Sequence, residues 1–180
     1  MAFQNEKLRA LVHYVIWRAG NREGFGATKL NKVLWFADAR HYESNGRSIT
    51  GETYIRQKHG PVPSHIVEVV ADLERAGIVR VGTEFFQSKE IKRCVTDVRP
   101  DTSIFTDAEL SIVDWWTKHI DEDHTAGSIS DLSHDYTWEI AGMGEEIPLY
   151  AVLARRIRAP RGQELEWAKN EAKRLGLRVA

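Results

Sequence analysis

The apolar residues near the start of the chain recur with a helical period. Leu8, Leu11, Val12, Val15 and Ile16 follow the i, i+3, i+4, i+7, i+8 spacing of one helix face. A helix with such a stripe buries it against another element. The chain is therefore predicted to open with an amphipathic helix that packs into a core.

Similar stripes predict four further helices along the chain. Asn45-Gly46 supplies a left-handed end for the second of them. Thr106 and Glu109 have capping-box spacing at the start of the fourth. Ser64 is expected to cap the third. The four helices are predicted at about residues 28–44, 64–76, 106–120 and 163–175, with a further helical stretch opened by Pro148.

Extended segments are fewer and shorter. Residues 48–55 predict one or two short strands with a bend at Gly51, residues 78–81 predict another, and residues 85–98 give a weak returning strand. The run 60–63 (GPVP) is expected to break the chain. The fold class that follows is α+β and predominantly α-helical, a helical core with a small antiparallel sheet in a partly winged-helix-like order.

Length and composition place the chain among ordinary globular proteins. It has 180 residues, of which 42% are hydrophobic and 28% charged, which is enough for one domain with its own core. We find no run of 18 apolar residues and no apolar leader near the N-terminus, so we expect no membrane span. Cys94 is the single cysteine, which excludes an internal disulfide and fits a cytoplasmic location.

The net charge of −1 conceals a strong asymmetry. Residues 1–96 hold 15 basic and 10 acidic side chains, residues 97–147 hold 2 and 13, and residues 148–180 hold 8 and 3. Such a chain can fold its basic and acidic parts against each other, or present a charged face to a partner. Intramolecular pairing is the favoured interpretation, including for the basic run 155–161 (RRIRAPR).

The sequence contains no specific catalytic motif and predicts no cofactor. It has no P-loop, no G-x-S-x-G and no G-x-G-x-x-G pattern. Four potential metal ligands lie close together in the sequence: Asp114, His119, Asp123 and His124. They could form a metal site, but their spacing matches no known ligand pattern, so a solvated helix end is the favoured interpretation. Cys94 is expected to be a small apolar core residue rather than a reactive thiol.

Asp38 and His41 share a face of the second predicted helix. They could form a polar site under the Gly60-Pro61 loop. The favoured alternative is a structural Asp–His hydrogen bond that ties the helix to that loop.

The winged-helix order raises DNA binding as a further hypothesis. The third helix would then be the recognition helix. It carries Glu68, Asp72 and Glu74 against Arg75 and His65, and such a face repels phosphates. We therefore do not expect nucleic acid to be a partner.

Three sequence blocks resemble the Panacea domain, also called the SocA-like antitoxin domain. They are residues 28–38 (TKLNKVLWFAD), 46–54 (GRSITGETY) and 58–63 (KHGPVP), in the order and at the spacing of that family. Trp35 stands where the family usually has Tyr. Later residues around Leu132-Ser133-His134, Trp138 and 144–148 (GEEIP) are similar to its C-terminal part. The resemblance assigns 1–155 to this domain and leaves 156–180 as a basic C-terminal helix, expected to pack on it.

The resemblance implies a non-enzymatic antitoxin of a toxin–antitoxin module. Members neutralise toxins of several unrelated kinds by direct protein contact. SocA-like members can instead act as adaptors that present the toxin to the ClpXP protease. Some members carry a separate N-terminal DNA-binding domain, for which we see no room here. The expected partner is a cognate toxin, with ClpXP as an alternative partner.

Two residue sets follow from the motif blocks. Aromatic and charged side chains are the usual anchors of protein interfaces, although Trp35 and Tyr54 fit a core position equally well. The expected partner-binding residues are Trp35, Asp38, Arg40, His41, Arg47, Tyr54, Arg56 and His59. The expected structural residues are Lys29, Leu30, Lys32, Phe36, Gly46, Thr50, Gly51, Gly60, Pro61, Val62 and Pro63.

Overall fold

Seven α-helices and five short strands make up the computed structural model, which describes residues 6–156 and 162–174. The predicted α+β class with mainly helical content is confirmed. The helices are α1 (Glu6–Ala19), α2 (Ala27–Asn45), α3 (Ile66–Arg75), α4 (Asp107–Asp123), α5 (Ala126–Ser133), α6 (Tyr136–Glu139) and α7 (Gly162–Arg174). The strands are β1 (Tyr54–Gln57), β2 (Gly60–Pro63), β3 (Arg80–Phe86), β4 (Lys89–Val95) and β5 (Glu146–Ile147), and a 3₁₀ helix spans Leu149–Arg156.

Helix α2 lies at the centre of the structure. It contacts α1, α4, α5, β2 and the 3₁₀ helix. Its burial is almost continuous from Lys32 to Ala39, so it has apolar side chains on several faces rather than on one stripe. The adjacent pair Trp35 and Phe36 follows from this, because neighbouring residues on a helix point in different directions. Helix α3 packs instead on α1.

A three-stranded antiparallel sheet of order β2–β1–β5 lies beside α2. The run 60–63, which the sequence predicts to be a break, is in fact the edge strand β2, paired with β1 from Tyr54 opposite Pro63 to Gln57 opposite Gly60. Proline lacks a backbone donor and is tolerated at a sheet edge. The prediction of strand at 48–53 is wrong, because regular pairing begins only at Tyr54.

Strands β3 and β4 form a separate two-stranded ribbon after α3. The weakly predicted returning strand is confirmed at Lys89–Val95. Gln87 and Ser88 connect the two strands with positive φ angles of 47° and 63°, as in the tight turns that match strand twist. Helices followed by this ribbon give the winged-helix-like order, although the β1–β2 hairpin lies between α2 and α3.

The ends of the helices show which of the predicted capping residues are correct. Gly46 ends α2 with φ 70° and donates its N–H to the Tyr42 carbonyl, as predicted. The Thr106–Glu109 capping box at the start of α4 is also confirmed. The Ser64 cap is wrong: His65 occupies that position, and the Ser64 hydroxyl instead donates to Glu52 at 2.7 Å.

Basic residues of α1 and the following loop pair with acidic residues of α4. Lys7 binds Glu109 at 2.8 Å and Arg18 binds Asp114 at 2.9 Å. Arg22 binds Asp121 at 2.5 Å. The basic and acidic parts of the chain therefore fold partly against each other, while the side chains of 155–161 lie outside the described residues. The packing of 156–180 on the domain remains a prediction.

No described helix has both the length and the apolarity needed to cross a bilayer.

Replacing Gly60 by Ala is expected to cost more stability than replacing Gly46 by Ala. Both have positive φ, 95° and 70°. A Cβ on Gly60 would lie 2.1 Å from Ser133 Oγ and 2.6 Å from Lys32 Nζ, whereas a Cβ on Gly46 meets nothing within 4 Å. We expect a loss of ~1–2 kcal/mol for Gly46→Ala from backbone strain alone. Gly60→Ala should lose ~1–3 kcal/mol more through the clash.

Urea unfolding of both variants measures the difference. Equal losses would contradict the close packing of the β2 start against α2 and α5.

Candidate functional site

The buried carboxylate of Asp38 joins the first motif block to the second. Its side chain has no exposed surface. It accepts hydrogen bonds from Ile49 N at 2.8 Å, Thr50 N at 3.0 Å and Tyr54 Oη at 2.8 Å, as well as from the Thr50 hydroxyl. Four donors therefore hold segment 49–54 against α2.

The predicted Asp38–His41 hydrogen bond to the Gly60-Pro61 loop is wrong. His41 Nδ1 instead lies 2.7 Å from the Arg47 carbonyl, so His41 contacts the second residue after the end of α2. Asp38 binds segment 49–54 rather than the Gly60-Pro61 loop. Both side chains are structural, but with partners other than those expected.

Burial governs the ionisation of this cluster. Burial raises the pKa of Asp38, and the hydrogen bonds from Thr50, Tyr54 and Ile49 oppose that shift. Burial and the neighbouring Asp38 raise the pKa of Tyr54 well above its usual range. The Tyr54 hydroxyl therefore stays protonated and donates a hydrogen bond to Asp38 rather than acting as a base.

Lys32 joins the first motif block to the third. Its side chain is 1% exposed, and its Nζ donates to the Pro61 carbonyl at 3.2 Å. Burial lowers the pKa of Lys32 to about 7. Asp38 and Lys32 thus hold β1 and β2, respectively, on the same helix.

Four of the eight expected partner-binding residues lie inside the protein. Trp35 and Tyr54 are buried and meet edge to face with ring centroids 5.0 Å apart. Asp38 and His41 are buried as well. Asp38 and His41 bind nearby backbone groups, and Tyr54 donates to Asp38, whereas Trp35 makes ring contacts and its buried Nε1 has no hydrogen-bond partner. Because all four side chains are buried, a partner cannot reach them in this conformation. Their burial favours a structural role for these four residues over contact with a partner.

The other four expected residues are at least partly accessible. Arg40, Arg47 and His59 are exposed. Arg56 is half-buried, with its guanidinium 3.7 Å from the centre of the Trp138 ring and Nη1 donating to the Ala141 carbonyl at 2.5 Å. Arg56 therefore links the β1–β2 hairpin to the segment after α6, whereas Arg40, Arg47 and His59 remain candidates for contact.

An open groove lies between α2 and α4 on the described surface. Its volume is about 570 Å³. Phe36 and Trp116 stack at its base with centroids 4.5 Å apart, and Trp115 is 57% exposed at its rim. The residues that line it are Phe36, Ala39, Arg40, Glu43, Ser111, Ile112, Trp115 and Trp116. We call this feature the α2–α4 groove.

Two of the residues that line this groove belong to the sets expected from the sequence: Arg40 as a partner-binding residue and Phe36 as a structural residue. Trp116 follows the apolar stripe of α4, but Trp115 lies about 100° further around the helix. Two large side chains that are adjacent in a helix cannot both lie on one buried face. The adjacent tryptophans were therefore the feature of the sequence that could have indicated an exposed aromatic side chain. A large exposed aromatic in a pocket is typical of an interface anchor.

Three of the four residues considered as metal ligands lie close together, since the His119 ring is 5.0 Å from the His124 ring and also contacts Asp123, whereas Asp114 points to α1. Asp114 accepts from Tyr14 Oη at 2.8 Å and from Arg18 at 2.9 Å. His119 pairs with Asp123 at 2.8 Å, and His124 with Ser128 at 3.1 Å. Among the residues described, no group of three or more His, Cys, Asp and Glu side chains is arranged to hold a metal ion. Cys94 is buried in β4, as expected for an apolar core residue.

The outward face of α3 keeps its acidic character in the folded chain. Glu68 and Glu74 are exposed, and Arg75 pairs with Asp72 of the same helix at 2.6 Å. The positive charge of Arg75, the one arginine of α3, is thus already partly neutralised. This arrangement supports the prediction that α3 is not a DNA recognition helix.

Comparison with known proteins gives one family match. The family model described as "Antitoxin SocA-like, Panacea domain" matches residues 30–139. The match runs from α2 to the end of α6 and includes every residue that lines the α2–α4 groove. No curated protein and no solved structure matches the chain.

Asp38→Ala is expected to destabilise the protein by ~3–5 kcal/mol. The substitution leaves several buried donors of segment 49–54 without an acceptor, and each such group carries a desolvation penalty. The measurement is the free energy of unfolding in urea. Asp131→Ala, on the exposed side of α5, serves as the control and should change stability by less than ~0.5 kcal/mol. Similar losses in both variants would contradict the role of Asp38.

Lys32 is expected to make stability depend on pH. Its pKa is about 7 when folded, below its ordinary value of 10.5, so the unfolded chain binds one more proton between these limits. Stability should therefore rise with pH from about 7 to 9.5, with a slope of up to ~1.4 kcal/mol per pH unit. Lys32→Met should lack this contribution.

The test compares unfolding free energies of the wild type and Lys32→Met across that pH range. Parallel pH profiles would show that Lys32 titrates normally in the folded protein.

Proposed function

Because the chain belongs to the SocA-like antitoxin family defined by the Panacea domain, we propose that it neutralises a cognate toxin by direct protein contact. The surface that makes the contact is the α2–α4 groove. The observation that carries the proposal is the position of this groove: it lies wholly within the matched segment and is formed in part by the motif helix α2.

The geometry of the groove supports a binding role. Interface energy is concentrated in a few aromatic or arginine side chains near the centre of a contact. The groove offers Trp115 and Arg40 as accessible side chains of these types, over a base formed by Phe36 and Trp116. A partner side chain that enters the groove would bury apolar surface on both helices.

The perturbed ionisable groups of α2 support binding rather than catalysis. Asp38 is saturated by four donors, and Lys32 donates to the Pro61 carbonyl. Neither lines the groove, so neither can act on a molecule held there. The protein thus acts in the cytoplasm as a non-enzymatic inhibitor that covers a surface of the toxin.

Co-expression with the product of the adjacent gene tests this function. The neighbour should arrest growth when expressed alone, and the present chain should restore growth and form a complex that can be isolated. Trp115→Ala should weaken that complex ~30-fold or more, as expected for an interface anchor. Trp167→Ala is the matched control, because Trp167 is similarly exposed, at 68%, but lies on α7.

Two outcomes contradict the proposal. The neighbour may prove harmless alone, or it may stay toxic when this chain is present. A toxin whose half-life falls only in cells with ClpXP would replace neutralisation by contact with delivery to that protease. A gel shift with the module's own promoter at physiological salt would support DNA binding instead.

A further inference from the structure

The outer edge of strand β3 carries backbone groups that point away from the rest of the ribbon. Phe86 and Lys89 flank the two-residue turn between β3 and β4, so they form a hydrogen-bonded pair. Such pairs alternate along an antiparallel ladder, and the N–H and C=O groups of Val81, Thr83 and Phe85 therefore point away from β4. No described group forms a hydrogen bond with them. We call these three the outward residues of β3.

The corresponding edge of β4 is covered by the loop between α1 and α2. By the same alternation, Lys92 and Cys94 direct their carbonyl groups away from β3. A Cβ on Gly26 would lie 3.2 Å from the Lys92 carbonyl oxygen, and a Cβ on Gly20 would clash with that of Cys94. The backbone of this loop thus lies against β4, and only the β3 side of the ribbon stays open.

The three-stranded sheet protects its edges in ways that β3 does not. Strand β2 carries Pro61 and Pro63, and proline cannot donate a hydrogen bond to an added strand. Strand β5, at the opposite edge, has only two residues. Strand β3 has seven residues and no proline. It therefore presents a long edge that can accept a further strand.

Two residues of β3 also lack a role within the chain. Phe85 is 75% exposed, although it is a large apolar side chain. Gly82 does not have positive φ, and a Cβ added to it would meet nothing within 4 Å, so neither conformation nor space requires glycine there. A glycine inside a strand often marks the close approach of another backbone. Both observations favour an occupied edge.

We propose that β3 pairs antiparallel with β3 of a second copy of the chain, about a two-fold axis at Thr83. Thr83 then lies opposite Thr83 of the partner subunit, and Val81 lies opposite Phe85 of the partner subunit. Each pair of outward residues exchanges backbone hydrogen bonds. Threonine pairs and pairs of an aromatic with a β-branched residue are favourable across strands. The two ribbons thereby form one antiparallel sheet of four strands.

The side chains of β3 select this register. Glu84 lies opposite Gly82 of the partner subunit, and Arg80 lies opposite Phe86 of the partner subunit, so no like charges face each other. A pairing centred on Glu84 would instead place two carboxylates opposite one another, which is unfavourable. A strand that complements itself satisfies the requirement of a two-fold interface. This favours a second copy over an extended segment of another protein.

Sedimentation velocity of the full chain over a range of concentrations tests the inference. The wild type should show a monomer–dimer equilibrium. Thr83→Pro removes an outward N–H that the β3–β4 ladder does not use, and proline is tolerated at such an edge position. This variant should weaken the dimer ~10-fold or more. Its circular dichroism spectrum should match that of the wild type, which shows that the fold is retained.

A charge-swap pair tests the register without changing the backbone. Thr83→Lys and Thr83→Glu should each weaken the dimer ~5-fold or more, because each places like charges opposite one another. An equimolar mixture of the two variants should recover the dimer, since Lys then lies opposite Glu. Ser44→Lys adds the same charge at an exposed position of α2 and should leave the dimer unchanged.

Hydrogen exchange followed by NMR reports on the edge directly. The amides of the outward residues should exchange rapidly in dilute solution and more slowly as the concentration rises. The amides of Gly82 and Glu84 face β4, so they should be protected at both concentrations and serve as internal controls.

Three results would overturn the inference. The first is a wild type that stays monomeric at concentrations where a dimer with a Kd of ~100 μM would form. The second is a dimer that none of the Thr83 variants weakens. The third is a dimer that Trp115→Ala abolishes and Thr83→Pro does not, which would assign the contact to the α2–α4 groove. No toxin enters these measurements, so their failure is distinct from failure of the co-expression experiment.

Discussion

The fold depends on a carboxylate that is held without solvent. Asp38 cannot be buried alone, because an unpaired buried acceptor is costly, and it is therefore obliged to collect donors. The backbone of Ile49 and Thr50 and the hydroxyl groups of Thr50 and Tyr54 supply them. This requirement fixes where the chain runs after α2, and hence where β1 begins. Lys32 imposes a similar constraint on β2 through the Pro61 carbonyl.

This arrangement explains why the family motif residues differ from those that line the proposed contact surface. Lys32, Asp38, Thr50, Tyr54 and Gly60 are all motif residues, and all of them face the interior. The accessible rim of the groove comes instead from residues such as Arg40 and Trp115. A scaffold specified by internal contacts can keep its shape while its surface residues vary. The resemblance to a family whose toxins are of several unrelated kinds fits such a separation.

Sequence patterns predicted the features of the fold that depend on residues close together in the chain. They did not predict the features that depend on contacts between distant residues. The helices, the Gly46 end and the Thr106 capping box depend on neighbouring residues, and they are confirmed. Residues 48–53 have strand-like composition, but Asp38 binds their backbone and prevents regular pairing. The β2 edge strand needs β1 beside it, and β1 is placed by α2. Trp115 was missed because its exposure depends on how α4 packs against α2.

Helix α4 shows how an acidic element can be accommodated in the fold. Clustered carboxylates repel one another, so each needs a nearby cation or water. On the side of α1, the chain provides those cations itself through Lys7, Arg18 and Arg22. Near its C-terminal end, α4 also places its own Lys118 3.9 Å from Glu122 and its own His119 2.8 Å from Asp123. The charge asymmetry of the sequence is therefore balanced in part within the fold, by contacts between α4 and the N-terminal residues and by contacts along α4 itself.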